Sequence, residues 1–109
     1  MSTDTMMLLG MVGGVVAFML YKRLVTAKEA KKWVAAGGAL VDVRTPGEFS
    51  SGHIPGAINI PLSDLARRVK EIGGPERAVV VYCASGGRSA SAAMMLKSAG
   101  FKQVLNLGP

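Results

Sequence analysis

The sequence predicts an α/β fold in which helices flank both faces of a parallel sheet, preceded by one transmembrane helix. From residue 26 onward, short runs that are apolar throughout alternate with helical segments, which is typical of parallel strands buried on both faces. Residues 6–21 carry no charge. With 109 residues, 14 glycines spread as turn punctuation and no repeat, the chain is long enough for one small domain. We therefore predict an anchor over residues 1–25 and a domain over residues 26–109.

The uncharged run from Met6 to Tyr21 predicts a short but sufficient membrane span. At about 1.5 Å per residue, a helix of this length covers about 24 Å against a hydrocarbon core of about 30 Å, so Lys22 and Arg23 must extend to the interface. Asp4 before the run and basic residues after it argue against a cleaved signal peptide. The positive flank lies C-terminal to the run, which places the domain in the cytoplasm. We expect a single-pass membrane protein that contacts lipid through residues 6–25; a buried helix of a soluble domain is the alternative.

The spacing of the glycines and the net charge indicate which partners the chain binds. Gly10 and Gly14 form a Gly-x-x-x-Gly pair, which predicts a weak homodimer through the anchor. The net charge is +6, from 13 Lys+Arg against 7 Asp+Glu, and suits anionic partners. The basic residues are scattered and aromatic residues are scarce, so we predict no nucleic-acid binding. The single cysteine excludes an intramolecular disulfide.

The first half of the domain is predicted to contain a helix and two strands. Thr26-Ala27-Lys28-Glu29 has the spacing of a capping box, so we expect a helix that begins at Thr26 and ends at Gly37-Gly38. Residues 39–43 read as a buried strand, residues 44–49 as a turn with a helical turn, and residues 57–60 as a short strand.

The second half is predicted to contain two helices and two strands. Ser63 is expected to cap a helix that runs through Leu65 and Ile72, and glycines at 73 and 74 end it. A strand then leads into Cys83, a helix covers residues 88–98 and a final strand covers residues 104–107. Ligands of parallel sheets bind at the carboxyl ends of the strands. Cys83 occupies one such end, and Asp42 with Arg44 is expected at another.

Cys83 is the only cysteine, and its surroundings predict a thiolate nucleophile. A buried strand delivers the sulfur to a Gly-rich turn, and the turn opens a helix whose free N–H groups face the sulfur. The positive helix end and Arg88 are both expected to lower the thiol pKa. An inert buried cysteine is the alternative, but consecutive glycines allow the backbone to approach a ligand closely, which a packing loop does not need. We assign Cys83 as the catalytic residue and the following loop as substrate-binding: Ala84, Ser85, Gly86, Gly87, Arg88 and Ser89.

Three segments together resemble the rhodanese homology domain in order and spacing. They are Asp42-Val43-Arg44 with Glu48-Phe49, Gly52-His53-Ile54-Pro55-Gly56-Ala57, and Cys83 to Ser89. The resemblance covers about residues 26–108 and implies a parallel α/β fold with sulfurtransferase chemistry that uses no metal or organic cofactor. The family pattern continues with a closing helix after Gly108, where this chain has Pro109. We expect a domain without that helix, either because it is dispensable or because the sequence is truncated.

The chemistry that the resemblance implies is a double displacement at sulfur. The cysteine takes a sulfane sulfur from a small anionic donor such as thiosulfate, holds it as a persulfide and passes it to a thiophilic acceptor. A thiolate suits a soft sulfur electrophile, and backbone N–H groups of the loop are expected to stabilise the anions along the path. No second cysteine can resolve the persulfide, so the acceptor is an external thiol or cyanide.

Two other functions fit the same architecture. The cell-cycle dual-specificity phosphatases resemble it, but they place five residues between cysteine and arginine, whereas residues 84–87 are four here. The smaller ring of N–H groups is expected to fit a sulfur atom better than a phosphoryl group. Phosphatase or arsenate reductase activity remains one alternative. A non-catalytic, membrane-tethered sensor or docking module is the other.

Several further residues are expected to serve the fold. Asp42 and Arg44 are predicted to pair near the floor of the site, with Glu48 in the same network as Arg44. His53, the only histidine, stands in a tight turn and is predicted to make a structural hydrogen bond. Helical spacing predicts a core position for four apolar residues, Trp33, Met94, Met95 and Leu96.

Overall fold

A computed structural model describes residues 14–109 and contains a four-stranded, fully parallel sheet. The first part of the predicted membrane span, residues 6–13 including Gly10, lies outside the described residues. The strands occur in the order β2-β1-β3-β4 across the sheet. Their bounds are β1 Ala39–Asp42, β2 Ile58–Asn59, β3 Val79–Tyr82 and β4 Val104–Gly108. The predicted parallel α/β architecture is confirmed.

Alternate residues of the two central strands enter two separate apolar clusters. Val41, Val79 and Val81 face one side, where they pack against Leu65, Leu96 and other buried residues. Leu40, Val80 and Tyr82 face the other side, where they pack against Ala30 with Trp33 and Val34. Successive side chains of a strand point to opposite faces, so a strand that is apolar throughout is buried on both. Helices therefore cover both faces, as predicted.

The helices are of unequal length. Two long ones cover the two faces: α1 Gly14–Ala35 and α4 Gly87–Ser98. The two short ones lie between strands: α2 Pro46–Ser50 and α3 Leu65–Arg68. Two 3₁₀ turns, Leu62–Asp64 and Val69–Glu71, flank α3. The continuous helix predicted from Ser63 to Ile72 is therefore wrong in detail, because Ser63 lies inside a 3₁₀ turn and the N-cap residue of α3 is Asp64.

Helix α1 is continuous through Thr26, so the prediction that a capping box begins a helix there is wrong. Instead of binding a free N–H group, the Thr26 hydroxyl donates to the carbonyl of Lys22 at 2.8 Å, as a residue inside a helix does. The helix ends as predicted at a glycine pair. Gly38 N donates to Trp33 O at 2.8 Å, and a Cβ at Gly38 would lie 2.7 Å from that oxygen, so the close approach requires glycine.

The described part of the chain does not contain the predicted transmembrane helix. Among residues 14–109, no helix is long and apolar enough to cross a membrane. The N-terminal half of α1 nevertheless exposes most of its apolar side chains, and Val15, Phe18 and Leu24 are each more than half exposed.

Helix α4 packs one side against the sheet. Leu96 is fully buried, as predicted, whereas the core position predicted for Met94 is wrong because that side chain is 71% exposed. The periodicity identifies a helix with an apolar side, but consecutive apolar residues cannot all face the same side.

We expect Leu96→Ala to destabilise the domain by about 2–5 kcal/mol, because it removes buried methyl groups and leaves a cavity. The matched control is Met94→Ala on the same helix, which is expected to change the free energy of unfolding by less than about 0.5 kcal/mol. Urea unfolding followed by circular dichroism measures both. Equal losses from the two substitutions would contradict this packing.

Candidate active site

The site lies at the carboxyl edge of the sheet, between the two central strands. The chain leaves β1 toward β2 on one side of the sheet, whereas it leaves β3 toward β4 on the opposite side. The loops after β1 and β3 therefore diverge and leave a crevice at this edge. Cys83 follows β3 directly, and its backbone N–H donates to Gly108 O at the end of β4 at 3.0 Å. Strands β3 and β4 thus fix the position of the cysteine.

The loop after Cys83 turns back onto the sulfur through Gly86. Gly86 has a φ of +91° and is the N-cap residue of α4. Residues with a Cβ rarely adopt this left-handed conformation, so the turn requires glycine. Of the two consecutive glycines, only Gly86 adopts this conformation, since Gly87 already belongs to the helix.

Three groups of the loop surround the sulfur of Cys83. The N–H groups of Gly86 and Ser89 donate to Sγ at 2.9 and 3.4 Å. The Ser89 hydroxyl oxygen accepts from the Cys83 thiol at 3.4 Å, while its proton is donated to Gly86 O at 3.1 Å. Both Cys83 and Ser89 are buried. The sulfur therefore sits in a cradle of donors at the N-terminus of α4, where the helix dipole also favours an anion.

Burial and hydrogen bonding act in opposite directions on the pKa of Cys83. Burial raises it, because a thiolate loses hydration. The Ser89 hydroxyl and the backbone N–H groups of Ser89, Gly86 and Ser85 lower it, and the pKa lies below its ordinary value as a result. The predicted lowering is confirmed, and its main source is this set of hydrogen bonds rather than Arg88.

Arg88 is bound by Glu48 on α2. Its Nη1 and Nη2 atoms donate to the two carboxylate oxygens at 2.7 and 3.0 Å. These bonds, with the N–H and hydroxyl of Thr45, lower the pKa of Glu48 to about 2. The prediction that Glu48 belongs with Arg44 is therefore wrong. Thr45 and Glu48 form a capping box, which sequence analysis missed although the Thr-x-x-Glu spacing before a short helix indicates it.

Asp42 and Arg44 form the predicted ion pair. Arg44 donates through its backbone N–H and through two guanidinium nitrogens to Asp42, at 2.6–3.0 Å. Burial raises the pKa of the fully buried Asp42, but the bonds from Arg44 outweigh it and the pKa lies below its usual range. Arg44 Nη2 also donates to Gly52 O at 2.6 Å. The pair thus ties the loop after β1 to the segment that borders the site.

Further contacts hold the segment around His53. His53 Nδ1 lies 2.9 Å from Phe49 O, and its ring stacks on Phe49 with centroids 3.6 Å apart, so the predicted structural hydrogen bond is confirmed. Ile54 N donates to the Tyr82 hydroxyl at 3.0 Å, and Asn59 Nδ2 donates to the carbonyls of residues 42 and 44. Sequence analysis missed Tyr82 and Asn59, because their partners are distant in the chain.

A cleft of about 370 Å³ opens over Cys83. Its lining includes Arg44, His53, Tyr82, Ala84, Leu107 and Pro109. Ala84 and Ser85 are exposed, whereas Gly86 and Ser89 lie against the sulfur. In the predicted substrate-binding loop, backbone N–H groups bind the sulfur of Cys83, whereas the Arg88 side chain binds Glu48 instead. Within residues 14–109, no cluster of three or more His, Cys, Asp or Glu side chains is placed to hold a metal ion.

This fold and site define a class of protein: a parallel α/β domain that presents a single activated cysteine in a cradle of backbone N–H groups at the carboxyl edge of its sheet. The family model described as the rhodanese-like domain matches residues 26–108. The chain therefore belongs to the rhodanese-like domain family.

Its relatives include proteins named as sulfurtransferases. It is 37% identical over 94 residues to the chloroplastic thiosulfate sulfurtransferase 16 of Arabidopsis thaliana, covering 76% of this chain and 78% of that protein. It is 46% identical over 68 residues to a sulfurtransferase of Allochromatium vinosum, covering 62% of this chain and 63% of that one. It spans smaller shares, 53% and 37%, of two Bacillus subtilis proteins that it also matches.

The solved structures support the same family. The human single-domain sulfurtransferase superposes with a TM-score of 0.66 at 30% identity, covering 72% of this chain and 82% of that one.

We expect Ser89→Ala to raise the pKa of Cys83, because it removes the hydroxyl that hydrogen-bonds to the thiolate. The ultraviolet absorbance of the thiolate, followed against pH with Cys83→Ala as the blank, gives the midpoint. It should move to higher pH, so that less thiolate is present at neutral pH. Ser91→Ala is the matched control, because Ser91 is exposed on the same helix. A midpoint that stays in place in Ser89→Ala would contradict the role of this hydroxyl.

Proposed function

We propose that this protein is a sulfurtransferase that moves a sulfane sulfur from a small anionic donor such as thiosulfate to a thiol or cyanide, through a persulfide on Cys83. The observation that carries this proposal is the sulfur of Cys83 with N–H groups of Gly86 and Ser89 directed at it. The family and the names of the relatives support it.

The first half-reaction loads the cysteine. The thiolate of Cys83 attacks the outer sulfur of thiosulfate, a new S–S bond forms, and the S–S bond of thiosulfate breaks with its electron pair leaving on sulfite. The persulfide anion then replaces the thiolate, so the negative charge moves outward by one sulfur atom. Backbone donors of the 84–89 loop are well suited to both anions, because they need no rearrangement as charge shifts.

Arg88 reaches an anionic donor in this proposal only by leaving Glu48. A bidentate pair between arginine and carboxylate satisfies most of the guanidinium's charge and geometry. The backbone of Ala84 to Gly87 is therefore the first group to meet the donor, and Arg88 stays bound to Glu48. Asp42 and Arg44 are positioning residues, because they bind each other and the loop at Gly52.

The four-residue spacing from Cys83 to Arg88 favours sulfur over phosphoryl transfer. A phosphoryl group needs donors around three oxygens, whereas a persulfide presents only its single outer sulfur to the donors. Phosphatase or arsenate reductase activity, and a docking module without turnover, are the outcomes that the following experiment separates from sulfur transfer.

We expect the protein to gain the mass of one sulfur atom when it is incubated with thiosulfate, and Cys83→Ala to gain none. Intact mass spectrometry measures the gain, and addition of cyanide should remove it with release of thiocyanate. Release of phosphate from an aryl phosphate without any gain of sulfur would instead favour the phosphatase. No turnover of either kind would leave the docking module.

We also propose that residues 1–25 anchor the domain, with residues 6–25 in contact with lipid and residues 26–109 on the cytoplasmic side. The uncharged run of residues 6–21, the basic residues after it and the exposed apolar side chains of Val15, Phe18 and Leu24 support this. A weak homodimer through Gly10 and Gly14 belongs to the same proposal, on sequence spacing alone.

The anchor predicts recovery in the membrane fraction after washing with alkaline carbonate, because an inserted helix resists extraction. A variant with Val16→Lys and Phe18→Lys is expected to move to the soluble fraction, since each charge is costly in the hydrocarbon core. The matched control places the same two lysines at Ala36 and Ser98, which are exposed in the domain. Wild-type protein recovered in the carbonate supernatant would contradict the anchor.

A further inference from the structure

Helix α1 runs past the edge of the sheet that carries the active site. Its C-terminal end leads into β1 through the Gly37-Gly38 turn, so it reaches the amino ends of the strands. Toward its other end, Phe18, Met19 and Lys22 lie beside Leu107 and Pro109, at the carboxyl end of β4. The exposed apolar half of α1 therefore projects from the same edge at which Cys83 lies.

A groove between α1 and the end of β4 joins the cleft over Cys83. The groove has a volume of about 450 Å³, and its walls include Phe18, Met19, Lys22 and Arg23. Leu107 and Pro109 line both the groove and the cleft. The two spaces are therefore neighbours across these two residues, on one side of the molecule.

The groove combines apolar and cationic groups in the way that the surface of an anionic bilayer requires. Phe18 and Met19 are 64% and 63% exposed. Lys22 and Arg23 follow after Leu20 and Tyr21, and neither has a carboxylate within ion-pair distance in the part of the chain that the structure describes. Apolar side chains enter the acyl boundary while basic side chains reach lipid phosphates. The complementary occupant is a layer of anionic phospholipid.

Because α1 is continuous, the depth to which it enters a bilayer determines where the cleft over Cys83 lies relative to the bilayer surface. Thr26 makes a hydrogen bond inside the helix, and no break separates the apolar half from the half that packs on the sheet. If Phe18 and Met19 sit at the acyl boundary, Leu107 and Pro109 beside them lie among the headgroups. The Cys83 cleft then opens at the bilayer surface.

We propose that the Cys83 cleft faces an anionic bilayer and that its sulfur acceptor is a thiol carried at that surface. This rests on the sulfur transfer and the anchor proposed above. The acceptor thiolate attacks the outer sulfur of the Cys83 persulfide. A new S–S bond forms on the acceptor, the S–S bond to Cys83 breaks, and its electron pair returns to Cys83 as the thiolate.

The test uses the full chain in vesicles of phosphatidylcholine and phosphatidylglycerol that also contain phosphatidylthioethanol, a phospholipid with a thiol in its headgroup. Thiosulfate labelled in its outer sulfur supplies the label, and 2-mercaptoethanol competes as the soluble thiol. We expect transfer to the lipid thiol to exceed transfer to the soluble thiol, at equal bulk concentration, by about tenfold or more, because the cleft experiences a high local concentration.

A rigid spacer separates orientation from mere attachment. Three Glu-Ala-Ala-Ala-Lys repeats between Arg23 and Leu24 lift the domain by about 22 Å, beyond the headgroup layer. Transfer to the lipid thiol should fall by about tenfold, whereas transfer to 2-mercaptoethanol stays unchanged and shows that the domain is folded. The matched control carries the same repeats before Met1. An unchanged preference with the spacer, no preference in the wild type, or wild-type protein that does not float with the vesicles each overturns the inference. Failure of sulfur transfer itself is distinct, because Cys83 then gains no sulfur and neither thiol is labelled.

A second measurement does not depend on activity. Cys83→Ser removes the only cysteine, so a fluorophore can be placed at Pro109→Cys on the carboxyl edge or at Gly74→Cys, which is exposed on the loop before β3. Lipids with a nitroxide in the headgroup should quench the label at 109 at least about threefold more than the label at 74, because such quenching reaches only about one headgroup layer. Equal quenching at the two positions overturns the inference.

Discussion

The hydrogen bonds from Gly86 and Ser89 to the sulfur of Cys83 are the interaction on which the rest of this structure depends. A thiol buried at the end of a central strand stays protonated unless donors replace the water that it has lost. These donors are available only because Gly86 adopts a left-handed conformation and because α4 begins immediately after it. The same requirement explains why Ser89 is buried, since both its N–H and its hydroxyl must face the sulfur.

Two ion pairs position the loops around this cradle. Asp42 and Arg44 connect the end of β1 to Gly52, and Glu48 connects α2 to Arg88 on α4. The first pair reaches Gly52 through a further hydrogen bond from Arg44, and the second joins α2 to α4 directly. Charge-assisted, bidentate bonds suit this purpose because they fix orientation as well as distance. The pair of Glu48 with Arg88 also matters for the chemistry, because Arg88 is the arginine nearest to Cys83 in sequence and its guanidinium is already bound to a carboxylate.

Helix α1 packs on the sheet along one half and is exposed along the other, with no break between the two halves. Its C-terminal half packs Ala30, Trp33 and Val34 on the sheet, whereas its N-terminal half exposes apolar side chains beyond the carboxyl edge. A rigid helix transmits position along its whole length, at about 1.5 Å per residue. Whatever covers the N-terminal half is thereby held at a set distance from Cys83. This gives the exposed apolar surface a direct relation to the site.

The sequence by itself determined the parallel α/β fold, the strand positions, the cysteine and the loop that follows it, because runs that are apolar throughout and glycine-rich turns depend on local chemistry. Even the pair of Asp42 with Arg44 is local, being two residues apart. Only the tertiary structure decided that Glu48 pairs with Arg88, that the Tyr82 hydroxyl accepts a hydrogen bond from Ile54 N and that α1 continues through Thr26. These contacts join residues far apart in the chain, or depend on which side of a helix meets the sheet, and a linear pattern carries neither kind of information.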